Sequence, residues 1–292
     1  MTITDELRAR LFLLRATEPP APAVYAYVAV HGPVDATARI RGATAPPAVL
    51  AEITRPQARI EHDLRAIEDG DARLLTPEDE DWPLGRLGAM GSLGTPLALW
   101  VRGDASLTQL TDTAVALTGT RWATGYGNTV AADFGYDLAR AGVTVVGGGS
   151  AGVDESAHRA ALTGEGRTVV VLPCGVDQTY PQEHARLYGD VIERGGLLVS
   201  EHPTGALAVQ ARLAARCRLL AALTSATVIV EAGQRSFALA TARAATALGR
   251  RVYGVPGSIH STNSKGVNEL LRTGAATAVT SVQHINYQER LR

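Results

Sequence analysis

Val143-Thr144-Val145-Val146-Gly147-Gly148-Gly149-Ser150-Ala151-Gly152-Val153-Asp154 reads as a strand, a glycine-rich turn and the approach to a helix. The β-branched run suits a buried strand, the four glycines let the chain turn tightly, and a helical pattern follows over Ser156–Gly164. The same alternation recurs along the chain. Short apolar runs at Leu97–Val101, Ala114–Leu117, Thr168–Leu172, Leu197–Val199, Thr227–Val230 and Arg251–Val255 are separated by helical patterns at Asn128–Ala141, Glu183–Glu193, Arg212–Leu223 and Ala238–Leu248. Strands alternating with helices of that length predict an α/β fold, with a mostly parallel sheet and helices on both faces. Such a sheet binds ligands at the loops after its strands.

Upstream the period differs. Residues 1–75 read as a small helical domain resembling a helix-hairpin-helix or SAM-type bundle, with residues 76–285 forming the α/β domain. Asp5–Arg15 is amphipathic, Val24–Val30 is apolar, Ala36–Ile40 and Pro47–Ile53 follow, and Arg55–Glu68 carries Ile60, Leu64 and Ile67 on one face. The first twenty residues mix acidic and basic groups without a long apolar core, a poor signal peptide, and no run approaches a membrane span. Two cysteines 43 positions apart form no metal motif, so no metal or cofactor is expected and a cytoplasmic setting fits. A formal net charge of -1 gives no global attraction to nucleic acid, so any such binding must use a local cluster. Arginine must supply it, because Lys265 is the only lysine.

Four loops carry candidate groups. Gly119-Thr120-Arg121 ends a strand before a helix, where close backbone approach, free N–H groups and a guanidinium suit a phosphate. A plain turn with a surface arginine fits equally well. Gly148, Gly149, Ser150, Ala151 and Gly152 make a phosphate-sized nest of amides, although their spacing is not that of a dinucleotide loop. Asp154 and His158 lie one helical turn apart and can pair, a structural clamp more than an acid–base couple. Arg212, Arg216 and Arg218 crowd three like charges into seven residues, which calls for an anion. Glu231, at a strand end, is either a catalytic carboxylate or the anchor of a neighbouring loop, and Cys174 is read as packing.

Taken in order, these pieces resemble the DNA-processing protein A family (DprA, also called Smf). The matches run from Trp82-Pro83 and Leu99–Gly103 through Gly119-Thr120-Arg121 with Tyr126-Gly127, Ala151–Asp154 with Ala157-His158, and Tyr180-Pro181. They continue with Ser200-Glu201, Arg216-Cys217-Arg218, Glu231-Ala232, Thr241-Ala242, Val255-Pro256-Gly257 and Gly274-Ala275, over roughly residues 80–280. The resemblance implies an extended Rossmann-like fold that binds single-stranded DNA without covalent chemistry and hands it to the RecA recombinase. It implies action in DNA uptake, transformation and recombination, and a homodimer. Carried over by motif, Gly119, Thr120, Arg121, Gly148–Gly152, Arg212, Arg216, Arg218 and Ser236 would line the DNA pocket, with Trp122 and Tyr180 as stacking surfaces. The pattern departs from the family at Cys217, where Asn is usual, and at Ser236-Phe237-Ala238 in place of Ser-Gly-(Ser/Thr). The sequence stops soon after Gly274-Ala275, so the winged-helix domain of many members is not expected in it.

Two other classes compete. A nucleotide-hydrolysing enzyme of the lysine-decarboxylase-like or phosphoribohydrolase group would carry Pro-Gly-Gly-x-Gly-Thr-x-x-Glu, but Glu231-Ala232-Gly233-Gln234-Arg235-Ser236 stands there. A nucleotide-sensing module would need only the glycine-rich pocket.

Overall fold

A computed structural model describes residues 3–287. Its sheet has nine strands, β1 (Arg73–Leu75), β2 (Leu99–Arg102), β3 (Ala114–Thr118), β4 (Thr144–Gly147), β5 (Thr168–Val171), β6 (Leu197–Ser200), β7 (Ala226–Ile229), β8 (Arg251–Gly254) and β9 (Thr277–Ala278). Their spatial order is β1-β2-β6-β5-β4-β3-β7-β8-β9. From β6 across to β9 every pair is parallel, while β2 joins β6, and β1 joins β2, antiparallel. The fold class is the one expected. All seven anticipated strands form, and β1 and β9 are additions too short to show an alternation of their own.

Successive side chains of a strand point to opposite faces, and this places two cores. Val145 packs with Val115, Leu117 and the helices Gly125–Arg140 and Val153–Thr163. Its neighbour Val146 packs on the other side with Val169, Val199, Leu219 and Leu220. The path runs outward from β3 through β4 and β5 to β6, then returns to β7 on the far side of β3. Loops leaving β3 and β7 therefore diverge, and a crevice opens over the carboxyl ends of the central strands.

The helical stretches differ from expectation in three places. Arg55–Glu68 is helical only over Glu61–Glu68, because Pro56 disfavours helical backbone at Arg55 and removes a donor. Arg212–Leu223 divides into Gln210–Ala215 and Cys217–Ala222, joined at Arg216. A helix outside the anticipated helical patterns runs over Lys265–Arg272, and its Val267 is buried. That helix begins with the poor helix formers Gly266 and Val267, and tertiary contact decides it.

Between residues 3 and 68 the regular elements are helices, at Asp5–Ala16, Pro22–Arg41 (kinked at Gly32), Pro47–Ala51 and Glu61–Glu68. Residues 1 and 2 of the segment read as a helical domain lie outside the described range. Its apolar residues Leu11, Phe12 and Val24 share one cluster with Leu74, Leu97 and Trp100 of the antiparallel end of the sheet. A polar tie reinforces this. Asp63, fully buried, accepts from the Thr204 amide (3.1 Å), the Thr204 hydroxyl (2.7 Å) and Arg15 Nε. Asp63→Ala strands these donors, so urea denaturation is expected to show a loss of about 3 kcal/mol.

Candidate nucleic-acid interface

The crevice at the carboxyl ends of β3, β4 and β7 holds a cavity of about 410 Å³. Gly119–Trp122 enter it from the β3 loop, Ser150 and Asp154 from the β4 turn, Gly233 and Arg235–Ala238 from the β7 loop, and Gln210, Leu213, Arg216, Cys217 and Leu220 from the helices after β6. Thr118, Ser150, Asp154, Leu213, Arg216, Cys217 and Leu220 are buried and form the floor. Arg121, Trp122, Gln210 and Arg235 are exposed and form the mouth.

Glycines bring the loops together. A Cβ on Gly119 would lie 2.6 Å from the Glu231 carbonyl oxygen, and one on Gly152 would lie 2.6 Å from that of Thr120. In their place run main-chain bonds, Thr120 N–H to Glu231 O (2.7 Å) and Val153 N–H to Thr120 O (3.3 Å). The Glu231 side chain is 1% exposed and accepts from the Thr124 amide (2.9 Å) and hydroxyl (2.8 Å), which in turn caps the helix Gly125–Arg140. Of the two roles open to Glu231, the structure gives it the structural one: it anchors the loop that carries Arg121 and Trp122.

The glycine-rich turn is not an empty nest. The amides of Gly148 (3.1 Å) and Ser150 (3.2 Å) donate to Asp154 Oδ2, and the Thr118 hydroxyl donates to Oδ1 (2.8 Å). An internal carboxylate thus takes the place that sequence reading assigned to a phosphate. Burial raises the Asp154 carboxyl above its ordinary value, against the pull of Arg216 and these donors. Asp154 and His158 do not pair. His158 instead faces the Thr168 hydroxyl at 2.6 Å, and burial lowers it to about 3, so it is neutral. Gly149 and Gly148 are buried in the turn, and with Ala151 and Gly152 they shape the wall without lining the cavity.

Three arginines crowded on one helical stretch prove to have three separate acceptors. Arg216 passes beneath Gly148 and donates to Gly148 O, to Val171 O (3.3 Å) and to Ser150 Oγ (2.8 Å). A Cβ on Gly148 would meet its guanidinium carbon at 2.7 Å. Arg218, expected in the pocket, turns away and forms a buried bidentate pair with Glu201 (2.8 and 2.7 Å). Arg212 likewise leaves the cavity and pairs with Glu18 (2.5 and 2.9 Å). The anion demanded by the charge crowding is therefore partly internal, and Glu18 lies too far away in sequence to have been connected with it. Of the anticipated residues, Gly119, Thr120, Arg121, Ser150, Arg216 and Ser236 meet at the cavity.

Arg235 was missed. It is exposed at the mouth, and neither it nor Arg121 has a hydrogen bond or ion pair among the described residues. Its loop position after a strand was the available signal. Trp122 stands beside them, 81% exposed, its backbone tied by Thr120 Oγ1 (3.2 Å) and Asn263 Nδ2 (2.6 Å). Tyr180, the other stacking candidate, is half-buried against Leu187 and its neighbours, away from the cavity. Cys174 is buried, its thiol pushed up to about 12, in keeping with packing.

The family model for DNA recombination-mediator protein A matches residues 73–289. Over 284 residues the chain is 42% identical to a DNA processing protein DprA of Mycobacterium tuberculosis H37Rv, covering 94% of this chain and 72% of that one. It is 34% identical over 220 residues to the protein Smf of Escherichia coli K12, covering 75% of this chain and 58% of the relative. The X-ray structure of DprA from Streptococcus pneumoniae superposes over 97% of both chains with a TM-score of 0.77 and 26% identity. DprA from Helicobacter pylori, solved for its single-stranded DNA binding mode, superposes over 73% of this chain and 92% of its own, with a TM-score of 0.63 and 28% identity.

Structural and ligand-facing arginines separate by experiment. Arg218→Ala leaves Glu201 buried without its partner and should cost about 3–5 kcal/mol in denaturant unfolding. Arg121→Ala, which breaks no bond, should stay within about 0.5 kcal/mol of the parent. Glu18 adds a pH signature. Burial pushes its carboxyl up, but the bonds from Arg212, with His202 and Arg55, outweigh this and hold it below the ordinary value. A depressed carboxyl stabilises the fold above its unfolded pKa, about 4.3, and that contribution is lost as acidification protonates the folded state. The stability gap between the parent and Glu18→Gln should accordingly narrow below about pH 4.

Proposed function

The chain belongs to the DNA recombination-mediator protein A family, and from that premise we propose that it binds single-stranded DNA at the crevice over β3, β4 and β7 without covalent chemistry. The observation that carries this reading is the pair of unpartnered guanidinium groups, Arg121 and Arg235, at the mouth of a cavity floored by Arg216. Two free cations above a buried third suit consecutive phosphates of a strand. Trp122 offers the flat face on which a base stacks, and neither a guanidinium nor an indole face distinguishes sequence. With a net charge of -1 the attraction is local, so binding depends on these few residues and not on a general basic surface.

A hydrolytic role finds less support. Among the described residues the carboxylate lining this cavity is Asp154, held by Thr118 and the amides of the turn, and Glu231 is occupied with Thr124. The protein acts as a carrier of exposed strands, working as a homodimer in the cytoplasm and passing its cargo to a RecA-type recombinase during DNA uptake and recombination. The family assignment supports that wider role. No helix among the described residues is long and apolar enough to cross a membrane.

Fluorescence anisotropy with a labelled poly-dT oligomer and its duplex, at two salt concentrations, tests the binding. Preference for the single strand is expected. Arg121→Ala and Arg235→Ala should each weaken binding about tenfold for every sequence and lower the log–log salt slope by about 0.7. Equal affinity for duplex, or variants indistinguishable from the parent, would sink the proposal.

A further inference from the structure

A second cavity, of about 540 Å³, shares no lining residue with the crevice. One wall is the helix Gly125–Arg140, whose Tyr126, Val130, Asp133 and Asp137 recur every three or four residues and so form one stripe. Facing it are Val255-Pro256 after β8 and Thr280-Ser281 after β9. The Tyr126 hydroxyl donates to Pro256 O (2.9 Å) and ties the two walls together. Tyr136 stands exposed at the rim.

Asp133 and Asp137 are exposed in this groove, and neither has a hydrogen bond or ion pair among the described residues. Like charges one turn apart on a helix repel. Three other helices neutralise an acid with an arginine one turn on: Asp35 with Arg39 (2.9 Å), Glu155 with Arg159 (3.0 Å) and Glu269 with Arg272 (2.6 Å). Arg140, three residues beyond Asp137, is placed to do the same, yet it faces Glu165 instead (3.9 Å). The crowded arginines after β6 found internal acceptors. This acid pair has no internal cation, so its counter-charge comes from outside.

We propose that the groove docks an arginine-bearing segment of a partner protein, one guanidinium bridging Asp133 and Asp137 and lying against Tyr136. The inference is independent of the single-strand reading and goes beyond it. A guanidinium is planar, pairs with carboxylates through several N–H groups and stacks on aromatic faces. Its aliphatic stem packs on apolar surface, which Val130, Val255 and Pro256 supply. A lysine would bring only a point charge. A nucleic acid strand is repelled by the two carboxylates, and a metal ion would find no third ligand, since no group of three suitable side chains occurs among the described residues. The stripe from Tyr126 to Asp137 runs about 16 Å along the helix, longer than one side chain, which suits an extended segment.

Fluorescence polarisation of the whole protein tests this with a fluorescein-labelled peptide of alternating glycine and arginine, and with its lysine and citrulline counterparts. Citrulline keeps the shape of arginine and removes its charge. The parent should bind the arginine peptide about tenfold more tightly than the citrulline one, and about threefold more tightly than the lysine one. Asp133→Asn combined with Asp137→Asn should weaken arginine-peptide binding about tenfold, and Tyr136→Ala should erase the preference over lysine. Both variants should bind poly-dT as the parent does, which separates this test from that of the crevice. The paired Asn variant relieves repulsion, so its melting temperature should equal or exceed the parent's. A lower one would give the acids a structural role and overturn the proposal. Equal binding of the three peptides, or no loss in the paired variant, would overturn it as well. So would failure of the parent to bind the arginine peptide, and a change in the paired variant's sedimentation would then assign the groove to a second copy of the chain.

Discussion

The guanidinium of Arg216 is the point at which the crevice is held together. It joins the helices after β6 to the turn after β4 through Gly148 O and Ser150 Oγ, and to the end of β5 through Val171 O. A buried cation needs its donors satisfied and a counter-charge near it. The carbonyls and Ser150 provide the first, and Asp154 lies near enough for the guanidinium to attract it. Asp154 itself is held by the amides of Gly148 and Ser150, so the turn, the acid and the arginine form one unit. Gly148 follows from that unit, because a side chain there would occupy the space of the guanidinium. The glycine-rich turn is thereby shaped around the Arg216 guanidinium and the Asp154 carboxyl, and the floor of the cavity is set before any ligand arrives.

Around this unit the charges divide by environment. Glu201 and Glu18 take Arg218 and Arg212 out of the crevice, and these pairs secure packing: Arg218 lies against the end of β6, and Arg212 reaches the helical segment. Of the arginines lining the cavity, Arg121 and Arg235 are the two without an internal partner among the described residues, and both ride on loops that leave β3 and β7. Divergence of those loops at the centre of the sheet is a consequence of strand order. The chain goes out one way to β6 and comes back to β7, and the gap that this leaves is where Arg121, Arg235 and Trp122 converge.

A site built in this way combines a fixed floor with an open rim. Ser150, Asp154 and Arg216 have their hydrogen bonds made, so they lend shape and field without rearrangement. Trp122 has its backbone tied while its ring is exposed, so the base proposed to stack on it would meet a surface already ordered. The antiparallel end of the sheet is occupied in a different way. There the helical segment covers Leu74, Leu97 and Trp100, and Asp63 and Glu18 reach across to the β6 loop and the helix that follows it.

What the amino-acid order determined was whatever depends on near neighbours. Seven strands and most helices were legible because burial imposes a period of two or of 3.6 on adjacent residues, and the βα turns were legible from glycine. Gly119-Thr120-Arg121, Ser150, Arg216 and Ser236 were therefore placed at one edge of the sheet and do meet there. Tertiary structure decided everything that depends on partners distant in the chain. It decided that Arg212 and Arg218 are consumed by Glu18 and Glu201, and that Asp154 fills the amides read as a phosphate nest. It also decided that Glu231 anchors a loop and that Arg235 joins the mouth. The physical reason is that a charge or a donor has no fixed meaning until its neighbours in space are known. Whether an arginine binds a ligand or a glutamate depends on which carboxylate the fold brings within 3 Å, and spacing along the chain carries no record of that.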